Sequence, residues 1–211
     1  MTIFYIDTSS KYLYTGVVKD SKLLCEKKKC LSKDMSLYVV SEIDEMFKTV
    51  NIEPKDINKI IVVNGPGSFT GIRIGVTLAK IMAWGLSIPI TTISSLEAMK
   101  ESINEENSLL VPIIDARRNA CYAAIYNGNE CILEGEYLTL EKLFLFLKGL
   151  QKDYVFISND KFLFDTIKYE PDILKIVLKY QDRKEIPAHI VNPLYLKLTE
   201  AEENKLKEVN E

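Results

Sequence analysis

Four of the nine glycines in this 211-residue chain fall within one short stretch, N-G-P-G-S-F-T-G-I-R-I-G at positions 64–75. The stretch separates a β-branched run, I-I-V-V at 60–63, from a long apolar pattern with helical spacing. Glycine allows turns and close backbone approaches that other residues do not, and Pro66 lacks an amide donor. We therefore predict a strand, a tight turn and a helix in direct succession. No other segment limits the possible folds so strongly.

A strand, a glycine-rich turn and a helix N-terminus also form a common anion-binding arrangement. The residues placed to contact an anion or nucleotide here would be Asp7, Thr8, Gly65, Gly67 and Ser68. The pattern matches neither the dinucleotide fingerprint nor the Walker A motif. Two interpretations stay open: an anion contact, or a tight corner in which Ser68 or Thr70 caps the helix.

The helix after this turn is unusually apolar. Its polar or large exposed positions form one narrow stripe, which consists of Arg73, Thr77, Lys80 and Trp84. The apolar arc spans roughly 220°, whereas about 100° suffices for a helix that rests on one core face. Small residues recur at every fourth position, at 71, 75, 79 and 83, and this spacing lets another backbone come close. The helix must therefore be covered by a sheet and by something more: the helix predicted at 34–50, a second lobe, or another protein.

The first hundred residues predict the order βββαβαβα. The strands are expected at 2–7, 11–19, 22–31, 59–63 and 88–93, and the helices at 34–50, 70–85 and about 95–103. Short turns between the first three strands favour an antiparallel meander. The fourth strand is apolar on both faces, which is typical of a parallel strand covered on both sides. This order indicates an α/β fold.

The second half repeats the outline of the first. We predict strands at 109–115, 120–126, 131–138 and 154–158, with helices at 139–148 and 160–168 and no assignment at 172–180. The charged residues at 105–107 suggest a domain boundary. The prediction is an N-terminal lobe at 1–104, a C-terminal lobe at 105–199 and a charged, fraying tail at 200–211.

Composition excludes several classes of function. A net charge of −3 gives no basic excess for binding nucleic acid alone. His189 is the single histidine, so a two-histidine metal site cannot be built. The four cysteines form no C-x-x-C pair and fit a reducing compartment. Without a secretory signal or an apolar run of membrane-spanning length, we predict a cytoplasmic protein with no membrane contact.

Three blocks of the sequence resemble one known family. The turn G-P-G-S-F-T-G-I-R-I-G (65–75) is similar to the signature of the TsaB family, also called YeaZ. P-I-I-D-A-R-R-N-A-C-Y (112–122) resembles that family's D-A-R-R…Y block. N-P-L-Y-L-K (192–197) resembles its P-x-Y-L-R block, with Lys197 in place of arginine. I-D-T-S at 6–9 also fits, so the resemblance covers nearly the whole chain.

The resemblance implies a two-lobed, actin-like ATPase (ASKHA, ribonuclease H-like) fold, which agrees with the strand order above. It also implies a noncatalytic subunit for threonylcarbamoyl transfer to adenosine 37 of tRNAs that read codons beginning with A. The catalytic partner would be TsaD, which holds the metal and the adenylated intermediate, and the ATPase TsaE would join them. The chain would have no cofactor of its own, because ATP and metal belong to the complex, and tRNA would bind only through the complex.

Family members pack their first two helices against the same helices of TsaD, or of a second copy when alone. Those helices correspond here to 34–50 and 70–85. The resemblance and the wide apolar arc together predict a partner interface that contains Met35, Val39, Ile43, Met46, Ile72, Gly75, Val76, Ala79 and Ala83.

The sequence departs from the family pattern at two places. Met35-Ser36 stands where the family's first helix commonly opens with histidine followed by serine or threonine. Before the last block, I-P-A-H-I at 186–190 replaces a helix. We therefore expect a reduced second lobe.

Two enzyme classes are the alternatives. An actin-like nucleotide-binding enzyme would use Asp7 and Asp115 as carboxylates, but Asp7 is followed by Thr-Ser-Ser rather than by glycine. A degenerate metallopeptidase lacks the histidines it would need. The segment Asp115–Arg118 has two interpretations: a strand end with ion-paired arginines, or a polar contact in the cleft between the lobes.

Overall fold

The computed structural model of this chain describes residues 1–105 and 107–197. The predicted tail at 200–211, the last two residues of the predicted C-terminal lobe and Glu106 at the predicted boundary lie outside the described residues.

The first sheet and its helices follow the predicted order βββαβαβα. The strands are β1 (Thr2–Asp7), β2 (Tyr12–Lys19), β3 (Lys22–Cys30), β4 (Lys59–Val63) and β5 (Ile90–Ile93); the helices are α1 (Met35–Thr49), α2 (Phe69–Leu86) and α3 (Ser95–Glu101). Short 3₁₀ turns precede α1 and β4.

The first sheet has the order β3-β2-β1-β4-β5. The first three strands form the predicted antiparallel meander, and β4 and β5 continue in parallel from β1. Every residue of β4 is buried, because α1 and α2 pack on one face and α3 packs on the other. Ile60 and Val62 point into the first core cluster, and Ile61 and Val63 into the second.

The second sheet repeats this topology on a smaller scale. It contains β6 (Leu109–Asp115), β7 (Ala120–Asn127), β8 (Glu130–Thr139) and β9 (Tyr154–Ile157), in the order β8-β7-β6-β9. As in the first sheet, a three-stranded antiparallel meander is joined by one parallel strand, and α4 (Leu140–Leu150) connects the two parts. The second sheet has four strands where the first has five; a lobe that is reduced relative to the family stays a prediction.

The chain returns to the first sheet after β9, which the predicted boundary did not anticipate. The unassigned run forms α5 (Ile173–Tyr180), and Ile173, Ile176 and Val177 pack in the same cluster as Ile3 and Tyr5 of β1. The chain then passes the edge strand β5, where Ile186 bridges Ile90. The 3₁₀ turn at Ala188–Ile190 packs against α2, and Lys80 donates to the carbonyl of Val191 at 2.7 Å.

Side chains cap three of the helices. Ser68, which is one of the two residues offered for that role, caps α2 through its side-chain oxygen, and Ser94 and Thr139 cap α3 and α4 in the same way. The helix predicted at 160–168 is wrong, because this is an irregular segment whose Ile167 bridges β9.

The predicted close approach to the small-residue row of α2 is made by the chain itself. A Cβ on Gly71 would lie 2.1 Å from the carbonyl oxygen of Thr8, and one on Gly75 would lie 2.2 Å from its hydroxyl oxygen. The Thr8 hydroxyl donates a buried hydrogen bond to the carbonyl of Gly71 at 2.7 Å. The turn after β1 therefore rests directly on the backbone of α2.

Helix α2 also corrects the statement that no apolar run reaches the length of a membrane span. Among the described residues it is the one helix that is long and apolar enough to cross a membrane, judged by length and composition alone. One third of its 18 residues are buried, and these face the sheet, α1 and Thr8. The core helices of soluble proteins can have the same length and composition.

We expect Gly71→Ala and Gly85→Ala to affect stability in opposite directions. The Gly71 variant should lose about 2 kcal/mol of unfolding free energy or more, since backbone must move to admit the methyl group. Gly85 lies on the same helix, and no atom lies within 4 Å of the position that a methyl group would take there, so alanine should gain about 0.5–1 kcal/mol. Urea unfolding followed by circular dichroism measures both. Equal stability of the two variants would contradict the packing described.

Candidate functional site

The glycine turn is a junction of three distant parts of the chain. The amide of Ser68 donates to the carbonyl of Ser9 at 2.7 Å. The amide of Ser95, at the start of α3, donates to the carbonyl of Gly65 at 2.9 Å, and the amide of Leu194 donates to the carbonyl of Asn64 at 2.7 Å. The turn after β1, the start of α3 and the C-terminal segment are thereby held at one point.

The residues predicted to contact an anion fall into two groups. Gly67 and Ser68 line a cleft between the two lobes. Asp7 and Thr8 are buried behind it, and Gly65 lies against the carbonyl of Leu194.

Part of the donor capacity at this helix start is used within the chain. The Ser68 amide is bonded to Ser9, and the Gly71 amide donates to the Ser68 hydroxyl oxygen at 3.2 Å. The corner interpretation, with Ser68 as the cap, therefore describes the local structure. Contact with an anion or nucleotide stays a prediction.

Asp7 is a buried carboxyl at the end of β1. Burial raises its pKa from an ordinary value of 3.8 to about 6, and hydrogen bonds from Ser9 oppose this rise. One of these bonds is donated by the Ser9 amide at 2.8 Å. Because charging a buried carboxyl is unfavourable, Asp7 lowers the stability of the folded chain at neutral pH.

The cleft between the lobes has a volume of about 570 Å³. One side is formed by the turn after β1 and the start of α2, and the other by the ends of β6 and β9. Asp115 lies on the second side, where its carboxylate accepts the amide of Arg117 at 2.8 Å and its own amide donates to Asp160 at 2.9 Å. Asp115 and Arg117 therefore line the cleft, and both interpretations of 115–118 stay open.

The N-P-L-Y-L-K block connects the two lobes next to this cleft. On the first lobe, the hydroxyl of Tyr195 accepts a hydrogen bond from Arg73 Nε at 2.7 Å, and its ring lies 5.2 Å from that of Phe69. On the second lobe, the Lys197 ammonium lies 5.0 Å from the ring centroid of Tyr137 on β8. We call residues 193–197 the bridging segment.

The residues predicted for the partner interface lie in the chain's own core, which corrects that assignment. The large ones are at most 5% exposed, and Gly75 is also buried; the set is Met35, Val39, Ile43, Met46, Ile72, Gly75, Val76, Ala79 and Ala83. All of them except Gly75 pack in one core cluster with residues of β1, β2 and β4, whereas Gly75 faces Thr8. In this fold they support the two helices from inside.

A different set of side chains forms the outer surface of these helices. Trp84 is 81% exposed, Leu37 is 70% exposed and Ile81 is 61% exposed. We define the α1/α2 face by its exposed apolar residues, Leu37, Tyr38, Val40, Ile81 and Trp84. The sequence signal for them was present: these apolar residues lie out of phase with the buried stripe of each helix.

Within residues 1–105 and 107–197, no three histidine, cysteine, aspartate or glutamate side chains are grouped so that they could hold a metal ion. His189 lies in a 3₁₀ turn of the C-terminal segment, and its backbone carbonyl accepts a hydrogen bond from Lys80 at 3.3 Å.

We expect Asp7→Asn to change how stability depends on pH. In the folded wild type the Asp7 carboxyl keeps its proton up to about pH 6, whereas in the unfolded chain it loses the proton near its ordinary pKa of 3.8. The contribution of Asp7 to the free energy of unfolding should therefore fall as pH rises from about 4 to 6. The variant lacks this loss and should gain about 3 kcal/mol relative to the wild type between pH 4 and pH 7. Urea unfolding across this pH range measures the difference, and parallel profiles would contradict the burial of Asp7.

Two bacterial proteins resemble the chain over almost its entire length. It is 30% identical to the tRNA threonylcarbamoyladenosine biosynthesis protein TsaB of Bacillus subtilis, and the match covers 96% of each chain. It is 27% identical to the protein of the same name from Buchnera aphidicola (Baizongia pistaciae), over 92% of this chain and 97% of that one.

Solved structures show the same fold. YeaZ from Pseudomonas aeruginosa matches with a TM-score of 0.70 at 17% identity, over 92% of this chain and all of that one. Another solved structure, described as a protein with similarity to peptidase YeaZ from Pseudomonas aeruginosa, matches with a TM-score of 0.74 at 16% identity, over 93% of this chain and 99% of that one. The two sheets and their order thus agree with the actin-like, ASKHA-type fold that the sequence predicts.

A family model described as TsaD, tRNA N6-adenosine threonylcarbamoyltransferase, matches residues 29–148, more than half of the chain. The match runs from the end of β3 to α4 and includes the glycine turn and the end of β6, which is one part of the second side of the cleft. The full-length relatives carry the TsaB name. The chain therefore belongs to the TsaB family, within the wider group that the TsaD model describes, and has a role in tRNA threonylcarbamoyladenosine biosynthesis.

Proposed function

We propose that this chain is a noncatalytic subunit that binds TsaD through the α1/α2 face and supports threonylcarbamoyl transfer to adenosine 37 of tRNA. TsaE joins the complex, and a second copy of the chain occupies the same face when TsaD is absent. The ATP and the metal of the reaction belong to the complex, and the protein acts in the cytoplasm.

The observation that carries this proposal is the exposed apolar surface of α1 and α2. Trp84 and Leu37 are both mostly exposed although the two helices have a complete buried side. Large apolar side chains exposed at a surface are typical of protein contacts, and tryptophan is enriched among residues that dominate binding energy. The core residues first assigned to the interface keep a supporting role, because they hold the two helices side by side.

The surroundings of Asp7 support a noncatalytic role. Its carboxyl is buried and accepts the amide of Ser9. The next residue, Thr8, fills the space between β1 and α2 and bonds to Gly71. A catalytic carboxylate of the actin-like kind needs contact with a bound nucleotide, and Thr8 stands where such enzymes carry glycine to admit phosphates.

A second candidate function, nucleotide binding by the chain itself, is favoured by the cleft of about 570 Å³ next to Gly67 and Ser68. Calorimetry of the isolated chain with ATP tests it. Tight binding would support this function, and no heat of binding at millimolar ATP would remove it.

We expect Trp84→Lys and Leu37→Glu to weaken binding to TsaD without unfolding the chain. Each should raise the dissociation constant at least tenfold, since truncation of a central tryptophan contact typically costs about 2 kcal/mol or more. Both side chains are solvent-exposed. Leu37 lies in the first turn of α1, where the helix dipole favours a negative charge, and Trp84 lies in the last turn of α2, where it favours a positive charge. Size-exclusion chromatography with light scattering and titration calorimetry measure binding, and urea unfolding checks the fold.

Leu145→Glu is the matched control, because Leu145 is also 70% exposed but lies on α4 of the second lobe. It should bind TsaD like the wild type. The same variants, introduced into cells depleted of the chain, should restore modified adenosine only when binding is kept. If the wild-type chain neither binds TsaD nor affects adenosine modification, the proposed function is refuted.

A further inference from the structure

Aromatic rings paired with cations surround the cleft between the lobes. Four of the residues that line it are aromatic: Tyr12 of β2, Phe69 of α2, Tyr122 of β7 and Tyr169 in the segment after β9. Cations lie near several rings in or beside this cleft, namely those of Tyr12, Phe69, Tyr195 and Tyr137.

On the first lobe, the Arg73 guanidinium lies 3.8 Å from the ring centroid of Phe69 and 5.7 Å from that of Tyr195. Both rings are almost half exposed, at 47% and 46%. Lys11 lies 5.3 Å from the ring centroid of Tyr12, and its side chain also lines the cleft.

The second lobe presents a similar arrangement. The rings of Tyr122 and Tyr137 lie 5.7 Å apart, and Lys197 lies 5.0 Å from the Tyr137 ring. The bridging segment supplies Tyr195 to one lobe and Lys197 to the other, so both ring sets are held beside the same opening.

The acidic residues of the cleft are engaged by backbone amides. The Asp115 carboxylate accepts the amide of Arg117, and the Asp160 carboxylate accepts the amide of Asp115. Lys11 and Arg117 also line the cleft, so its lining carries two cations and two carboxylates. Arg73 and Lys197, beside the cleft, add positive charge next to the stacking surfaces.

We propose that this rim binds an unpaired stretch of RNA, with bases stacked on Phe69, Tyr122 and Tyr12 and phosphates near Lys11, Arg73 and Lys197. Aromatic rings that alternate with cations are the usual means of holding single strands. RNA duplexes are instead recognised across their grooves through phosphates and 2′-hydroxyls, and a cleft of about 570 Å³ admits single bases but no helix. The choice of RNA rests on the proposed function, in which tRNA is the substrate of the complex.

The net charge of −3 fits a contributing surface rather than an independent RNA-binding protein. Affinity for RNA depends mainly on the number of phosphates that cations neutralise. The chain then orients a few unpaired nucleotides while its partner in the complex contributes most of the affinity.

The experiment measures fluorescence anisotropy of a fluorescein-labelled, unstructured oligoribonucleotide titrated with the full chain mixed with TsaD. Phe69→Leu and Tyr122→Leu keep apolar bulk but remove the stacking surface, so each should weaken binding about five- to a hundredfold. Lys11→Gln should remove one phosphate contact, so the slope of the logarithm of the binding constant against the logarithm of salt concentration should become shallower by about one. A blunt RNA duplex of the same length should bind more weakly and should not respond to the two leucine substitutions.

Tyr154→Leu is the matched control, since Tyr154 is a part-exposed aromatic residue of β9 outside the cleft lining. It should bind the oligoribonucleotide like the wild type. Unchanged RNA binding in the Phe69 and Tyr122 variants overturns the inference. An equal loss of RNA binding in the Tyr154 variant also overturns it. So does a result in which the Phe69 and Tyr122 variants change ATP binding but not RNA binding. Because association with TsaD is measured on the same samples, a chain that binds TsaD but shows none of these RNA effects refutes the inference and leaves the proposed function standing.

Discussion

The contact between Thr8 and the small-residue row of α2 is the constraint on which the rest of the structure depends. At 71 and 75 no side chain fits between the helix and the turn that follows β1, and the Thr8 hydroxyl is bonded to the helix backbone. This contact places the start of α2 at the end of β1, and so defines one side of the cleft. Asp7 lies on the opposite face of β1, beside Tyr5, Tyr14 and Tyr169, where the second core cluster and the segment after β9 bury it.

The C-terminal segment completes what the first lobe leaves open. Lys80 and Arg73, which the helical wheel grouped as a polar stripe, bind Val191 and Tyr195 of this segment. The wide apolar arc of α2 is thus covered by the sheet, by α1, by Thr8 and by residues 181–197. What remains at the surface is the outer α1/α2 face, which includes Ile81 and Trp84.

Helix α2 connects the two proposed binding surfaces. Phe69 at its first position lies in the cleft, and Trp84 in its last turn lies on the α1/α2 face. At 1.5 Å per residue the helix separates these ends by roughly 20–25 Å. The proposed RNA contact at Phe69 and the proposed protein contact at Trp84 therefore use opposite ends of α2.

The order of strands and helices in both lobes could be predicted because periodicity, caps and turn residues are local properties that survive in the fold. The family could be predicted because the glycine turn is a specific local sequence. Which residues face a partner could not be predicted, since Ala79 and Trp84 are both compatible with an apolar surface until the neighbours of α2 are known. The sequence by itself determined the strand–turn–helix unit, the fold class and the family resemblance. Only the tertiary structure decided that Thr8 occupies the small-residue row, that residues 181–197 return to the first lobe and that aromatic rings from three elements meet at the cleft, because these contacts join residues far apart in the chain.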